Sequence, residues 1–193
     1  MIDRFSKATG PSMQRYRTHS WRPGDREKGP ERTASRGWQG VALWVGLTAA
    51  AALVGSLAST QADTFYVTLQ KPDWAPPAWL FGPVWTLLYV MMAAAAVMVH
   101  RRQGFGPLAG RALRLYALAL VPNALWSWTF FHWHLGQVSV AVIVVLWLLL
   151  VATVVIFHRV RPLAAALMVP VTLWVSFAGA LNLALLRMNA GIL

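Results

Sequence analysis

The sequence has no cysteine, and only 6 of its 193 residues are acidic, the last of them Asp73. The absence of cysteine excludes disulfide bonds, thiolate metal sites and cysteine nucleophiles. The apolar sequence after Asp73 contains no carboxylate, so it lacks the relay that a proton-coupled pump normally uses. His132 and His134 lie close together but lack a third ligand, so the sequence predicts no metal site.

Charge of either sign is scarce. Charged residues make up 12% of the chain, against about 25% in a typical soluble domain. Stretches without any Asp, Glu, Lys or Arg run over residues 74–100, 115–158 and 162–186. Uncharged apolar stretches longer than about 18 residues are typical of membrane spans.

The net charge of +11 does not indicate nucleic-acid binding. Nine of the 17 Lys and Arg residues precede Trp38, and most of the others flank apolar stretches. This placement is typical of charges that orient a membrane protein. We therefore expect membrane lipid as a partner, and no nucleic acid.

The chain divides into a tail and an apolar domain. Residues 1–37 are basic and rich in Gly, Pro, Ser and Thr, which predicts a disordered tail. Residues 38–193 hold five apolar segments, each long enough as a helix to cross roughly 30 Å of hydrocarbon. They cover about 38–59, 78–100, 108–131, 136–158 and 162–187. Backbone in lipid must satisfy its own hydrogen bonds, so the predicted fold is an all-α membrane protein, a bundle of five transmembrane helices.

Loop charges predict the orientation. The tail, residues 101–114 and residues 159–161 hold most of the Lys and Arg, and would share one side of the membrane. The positive-inside rule then places the N-terminus in the cytoplasm and the C-terminus on the opposite side. Which membrane this is cannot be read from the sequence.

Tryptophan and proline are abundant, with 11 of each. Residues 69–85 alone hold four prolines and three tryptophans. Because proline restricts its own φ and that of the residue before it, the segment preceding Ala78 is predicted to be a stiff extended loop. Trp74 and Trp79 fit either an interfacial belt or a lid over a binding site.

Several apolar segments place aromatic rings on one helix face. Trp85 and Tyr89 share a face of the second segment, a spacing equally typical of helix packing. Asn123, Trp126 and Phe130 share a face of the third. An Asn inside a span rarely faces lipid, so it either bonds a neighbouring helix or orients a ligand.

The fourth and fifth segments add Trp147 and Trp174. Buried rings on several helices with a few polar groups predict a cavity for a flat small molecule.

Three ordered motifs carry a resemblance to a known family. They are K-P-x-W-x-P-P-x-W-x-F-x-x-x-W-x-x-L-Y from Lys71 to Tyr89, N-x-x-W-x-x-x-F-F from Asn123 to Phe131, and P-x-x-x-W-x-x-F-A-x-x-L-N-x-x-x-x-x-x-N from Pro170 to Asn189. With them, the chain from about Trp38 to Asn189 resembles the tryptophan-rich sensory protein / translocator protein family, also called the peripheral-type benzodiazepine receptor family.

The resemblance implies a function. Members have five transmembrane helices, commonly form homodimers, and bind porphyrins, haem and benzodiazepine-like ligands. Bacterial members are linked to tetrapyrrole regulation and stress. We therefore expect a membrane receptor or sensor that binds a tetrapyrrole or another flat apolar molecule, requires no cofactor and forms a homodimer. Two alternatives stay open: a light-dependent porphyrin-degrading enzyme, and a transporter of porphyrins or sterols.

The resemblance also assigns site residues. It carries the family's ligand pocket onto five residues of the motifs, with Ala178 beside them, and the helix faces add Tyr89 and Trp147. The predicted ligand-binding set is Trp85, Tyr89, Asn123, Trp126, Phe130, Trp147, Trp174 and Ala178. If photo-oxidation occurs, the resemblance assigns it to Trp85 and Trp174.

The loop Leu69–Pro77 would be the lid, with Lys71, Pro72, Trp74, Pro76 and Pro77 as its characteristic residues.

The sequence departs from the family pattern in places. Val171 stands where a Tyr is frequent, and Ala119 where a Gln is common. The fifth segment has no Tyr near its end, so the sterol-recognition pattern of animal members is missing.

Overall fold

The computed structural model describes residues 31–60 and 62–193. This part of the chain is helical almost throughout and contains no strand. Five helices are long: α1 Glu31–Ala58, α3 Phe81–Gln103, α4 Pro107–Ser127, α5 Gly136–Val160 and α6 Pro162–Met188. Three short elements complete the path: α2 Ala62–Thr68, a 3₁₀ turn Ala78–Leu80 before α3, and a π-helical turn Trp128–His132 after α4.

Four of the long helices are long and apolar enough to cross a membrane, namely α1 from Gly37, α3 with its preceding turn, α5 and α6. The prediction of a helical membrane protein is confirmed at this level. The remaining long helix, α4, carries Arg111 and Arg114 in its first turns and does not meet the same criterion of composition.

The predicted tail lies outside the described residues up to residue 30, and α1 begins at Glu31. The part of α1 that could span a membrane is Gly37–Ala58, beside a predicted first segment of about 38–59. The loop Leu69–Pro77 contains no helix, but the short helix α2 precedes it. The prolines that exclude helix begin only at Pro72, so residues 62–68 are free to form two turns.

The long helices pack in a closed ring, in the order α1, α3, α6, α5, α4 and back to α1. Small side chains let the helices approach closely. Such close packing is common in membranes, because lipid provides no hydrophobic driving force for association between helices. Ala95 and Ala96 of α3, Ala112 of α4 and Ala164 of α6 are fully buried in this way.

The contact between α1 and α3 is tightest near the end that carries the basic residues. There the His100 ring lies against Gly40, where even a Cβ atom would come within 1.8 Å of the His100 Nε2. Toward the other end the two helices separate, and both of their facing sides border a cavity. The helices α1 and α3 therefore diverge from the Gly40–His100 contact.

We expect Gly40→Ala to lower the apparent Tm of the detergent-solubilised protein, because the added methyl group forces the His100 ring and α1 apart. Overpacking of this kind costs about 1–3 kcal/mol. Gly46→Ala is the matched control on the same helix, since a Cβ at Gly46 meets nothing within 4 Å. Equal Tm values for the two variants would contradict the close approach of α1 and α3.

Candidate functional site

A cavity of about 620 Å³ opens between α1 and α3, in the half of the bundle next to α2. The C-terminal half of α1 and the N-terminal half of α3 form its walls, and α4 with the π-turn forms its back. Its lining residues are Val45, Thr48, Ala49, Ala52, Leu53, Gly55, Ser56, Ser59, Ala62, Tyr66, Ala78, Phe81, Gly82, Trp85, Thr86, Tyr89, Val90, Ala93, Asn123, Trp126, Ser127 and Phe131. None of these described lining residues is charged.

Aromatic rings form one wall of the cavity. The ring centroids of Trp85 and Tyr89 are 5.7 Å apart, and those of Trp85 and Trp126 are 6.4 Å apart, with interplanar angles near 35° in both pairs. Helical spacing on α3 places Trp85 one turn from Tyr89, and the packing of α3 against α4 brings in Trp126. These offset rings present an apolar surface broad enough for a flat molecule.

Polar groups of the cavity are paired between helices. The Tyr89 hydroxyl donates to Asn123 Oδ1. At the inner end, Thr48 Oγ1 and the Tyr116 hydroxyl lie 2.6 Å apart. The Asn123 Nδ2 is buried and finds no hydrogen-bond partner among the described residues. Asn123 therefore lines the cavity and keeps one buried, unused donor.

The Trp126 ring is fixed from behind. Its Nε1 donates to Asn182 Oδ1 of α6 at 2.9 Å, and its plane lies 10° from that of Phe130, with centroids 5.8 Å apart. A hydrogen bond and a stacked ring together leave the indole little rotational freedom. The helix α6 thus positions a cavity wall that it does not itself form.

The π-helical turn changes which ring faces the cavity. The predicted α-helical face runs Asn123, Trp126, Phe130, but α-helical hydrogen bonding stops at Ser127. Bonding from i to i+5 turns the chain more slowly than an α-helix, and such turns are frequent at functional sites. Phe131 borders the cavity as a result, while Phe130 is buried behind Trp126.

The structure gathers half of the predicted ligand-binding set at the cavity: Trp85, Tyr89, Asn123 and Trp126. The other four lie elsewhere. Trp147 is on the outer face of α5, 38% exposed, and donates to Ser176 Oγ. Ala178 is buried within α6, and Phe130 stacks behind Trp126.

Trp174 is separated from the cavity by Phe81. The Phe81 ring lines the cavity, and its centroid is 6.1 Å from that of Trp174. Trp174 belongs instead to a cluster with Phe177, whose ring in turn contacts Trp74 of the loop. Trp174 therefore does not line the cavity that Trp85 borders.

The Pro- and Trp-rich loop is held firmly but does not itself line the cavity. The Lys71 Nζ donates to the carbonyl oxygens of Tyr66, Val67 and Leu69 at 3.0–3.3 Å, and so caps the end of α2. Asn189, after α6, bonds both the N–H and the carbonyl of Gln70. Pro72, Pro76 and Pro77 stiffen the path between these anchors.

The element that borders the cavity at this end is α2. Its Tyr66 ring lines the cavity and packs on Phe81 with centroids 5.4 Å apart, and its hydroxyl donates to the Pro76 carbonyl. Burial raises the pKa of the Tyr66 hydroxyl above its ordinary value, so this donor keeps its proton at neutral pH. His134 stacks on Phe65 of α2 at 4.0 Å, which ties α2 to the turn before α5.

Sequence reasoning missed the cavity residues of α1 and α2. Thr48 and Gly55 lie on a helix with no aromatic or Asn signal on its cavity face, and Tyr66 lies in a segment predicted to be loop. Phe81 is part of the first motif, but no role was predicted for it. Small residues recur every fourth position at Ala51, Gly55 and Ser59, and this ladder is the one signal for a close or cavity-lining face.

The fold and the site together define an integral membrane protein with an uncharged, aromatic cleft inside its helices. The sequence model of the TspO/MBR family matches residues 42–188. The chain therefore belongs to the TspO/MBR family.

Relatives support the same assignment. The Tryptophan-rich protein TspO of Chlorobaculum tepidum is 39% identical over 150 residues, which cover 77% of this chain and 95% of that protein. The Tryptophan-rich sensory protein of Cereibacter sphaeroides is 38% identical over 127 residues, 66% of this chain and 78% of the relative. The human Translocator protein is 38% identical over 133 residues, 66% of this chain and 76% of the relative.

We expect Lys71→Met to speed amide hydrogen exchange in α2 by about tenfold, because the last carbonyls of a short helix lose their capping donor at a net cost of about 1 kcal/mol or more. Asp73→Asn is the control, since Asp73 is exposed on the same loop. Exchange in α2 that is unchanged by Lys71→Met, or equally changed by Asp73→Asn, would contradict the capping role.

Proposed function

We propose that the protein is a membrane receptor that binds a tetrapyrrole, or a flat apolar molecule of similar size, in the cavity between α1 and α3. The observation that carries this proposal is the uncharged cleft with Trp85, Tyr89 and Trp126 on one wall and the unpaired Asn123 Nδ2 beside it. Membership of the TspO/MBR family supports a receptor or sensor role in tetrapyrrole or stress responses.

The size and composition of the cavity suit this class of ligand. A volume of about 620 Å³ falls within the roughly 300–1,000 Å³ usual for small-molecule sites. Ring stacking contributes about 0.5–1.5 kcal/mol per aromatic pair beyond area burial, so most of the affinity would come from removing the macrocycle from water.

The absence of charge from the described lining sets the ligand's orientation. A porphyrin carries its carboxylates along one edge, and an unpaired carboxylate inside an apolar cavity would be costly. The macrocycle would therefore enter with its apolar edge first. The carboxylates would remain at the mouth of the cavity.

The mouth would open toward lipid between α1 and α3. Val45 and Leu53 of α1 and Val90 of α3 border the cavity and are 46%, 65% and 62% exposed. A ligand dissolved in the bilayer would meet this apolar rim directly. The cavity would then be open at its lipid-facing side and closed at the end beside α2. The helix α2 and the loop Leu69–Pro77 would together form the lid at that closed end.

We also propose that α4 spans the membrane, giving five transmembrane helices. At 21 residues and 1.5 Å per residue it is roughly 31 Å long. It packs between α1 and α5, both apolar enough to span. Arg111 and Arg114 are exposed near its first turns and can extend to the headgroup region. The N-terminus would then lie in the cytoplasm. The homodimer implied by the family resemblance is part of this proposal.

We expect Trp85→Leu and Asn123→Leu each to weaken protoporphyrin binding about tenfold, the first by removing a stacking surface and the second by removing the amide beside the cavity. The measurement is a titration of the full-length protein in detergent, followed by the absorbance of the porphyrin. Reporting on the porphyrin avoids the signal change caused by deleting a tryptophan.

The matched control is Trp147→Leu, which removes an indole from the outer face of α5. It should leave the Kd unchanged. A Kd that Trp147→Leu raises as much as Trp85→Leu does, or that neither cavity variant changes, would place the binding site elsewhere.

We expect the dimethyl ester of protoporphyrin to bind within about threefold of the free acid, because exposed charges contribute little to affinity. The same titration compares the two compounds. A loss of binding on esterification would show that a cation holds the carboxylates, which would contradict the proposed orientation.

A further inference from the structure

A second cavity lies at the opposite end of the bundle, where α1 meets the end of α3. Its volume is about 540 Å³, and it shares no lining residue with the first cavity. It is lined by Gly37, Gln39, Gly40, Leu43, His100, Arg101, Gly104 and Phe105. Basic, polar and apolar residues therefore line one cavity beside the C-terminal end of α3.

His100 is the buried polar group of this cavity. Its side chain is only 8% exposed, and its Nδ1 finds no hydrogen-bond partner among the described residues. The ring is held between Gly40 and the edge of Phe105, whose centroid is 4.9 Å away. A buried polar group without a partner costs about 1–3 kcal/mol, so a ligand that bonds the imidazole offsets a cost already present in the fold.

The charge beside His100 is positive, and the sequence from α3 to α6 offers no acid to compensate it. Arg101 lines the cavity and Arg102 follows it, both exposed at the end of α3. The sequence contains no Asp or Glu after Asp73, so α3 to α6 hold no carboxylate at all. An imidazole with a guanidinium next to it is suited to a phosphate group, which accepts several hydrogen bonds and carries negative charge.

The floor of the cavity continues into an apolar strip on the membrane-facing side of α1. Leu43 lines the cavity and is 45% exposed, and Leu47, one turn further along, is 40% exposed. A free phosphate ion gains nothing from such a strip. An amphipathic molecule would place its phosphate at His100 and Arg101 and its acyl chain along Leu43 and Leu47.

We infer that this cavity is a headgroup site for an anionic phospholipid of the leaflet in contact with the basic end of the bundle. Basic pockets between helices at such a level are known to recognise anionic headgroups. The inference is independent of the proposed tetrapyrrole site, because the two cavities share no residue. A bound lipid here also fills the gap beside the Gly40–His100 contact from which α1 and α3 diverge.

The test uses the full-length protein in nanodiscs of phosphatidylcholine containing phosphatidylglycerol, and counts the lipids retained after release by native mass spectrometry. We expect phosphatidylglycerol to be retained in preference to phosphatidylcholine. His100→Phe, which keeps a ring of similar size, and Arg101→Gln should each reduce that retention about fivefold or more. Arg102→Gln is the matched control, since Arg102 is exposed and does not line the cavity.

Helix content by circular dichroism and an unchanged elution volume on size exclusion verify that each variant is folded. If His100→Phe does not fold, the exposed Arg101→Gln variant decides the question alone. If Arg101→Gln and Arg102→Gln lower phosphatidylglycerol retention equally, the retention depends on general surface charge, and the inference is overturned. It is also overturned if the two lipids are retained equally, or if millimolar inorganic phosphate displaces phosphatidylglycerol.

Discussion

The His100 ring lies against the backbone of Gly40 and joins α1 to α3 at the basic end of the bundle. Because no side chain stands at Gly40, α3 approaches α1 closely at the basic end of the bundle. The two helices then diverge, and the space between them is the aromatic cleft. At the far end, α2 and the anchored loop hold the helices at that separation through Tyr66, Phe81 and Asn189. The cleft therefore lies between the close contact of α1 with α3 at one end and the anchored α2 and loop at the other.

Three hydrogen-bonded pairs of polar side chains join helices inside the described part of the bundle. Thr48 with Tyr116, Tyr89 with Asn123, and Trp126 with Asn182 join α1 to α4, α3 to α4 and α4 to α6. In a medium that offers no water, such pairs restrict the helices to one register and one rotation. All three pairs involve residues of the cleft, so the interactions that fix the fold also fix the site. The amide nitrogens of both Asn residues keep unused donors, and that of Asn123 is beside the cleft.

Sequence reasoning predicted the parts of this structure that depend on local pattern. Long uncharged runs predicted a helical membrane protein. Aromatic spacing, with an Asn inside a span, predicted that Trp85, Tyr89, Asn123 and Trp126 belong to the site. It did not predict α2, because seven residues are too few for a clear periodicity. It assumed α-helical spacing through Phe130, which the π-turn interrupts, so it missed Phe131. The motifs predicted that Trp174 lines the cleft, but the Phe81 ring lies between Trp174 and the cleft. The sequence does not show this arrangement, because it depends on how the helices pack.

We propose that a planar guest occupies the cleft between α1 and α3. A crystal structure of the protein with zinc protoporphyrin tests it directly, because anomalous scattering locates the zinc atom without interpretation of the surrounding density. The account predicts the zinc peak between α1 and α3, with the macrocycle in contact with Trp85 and its carboxylates at the lipid-facing rim. A zinc peak on the outer surface of α5, or beside Trp174 behind Phe81, would contradict it.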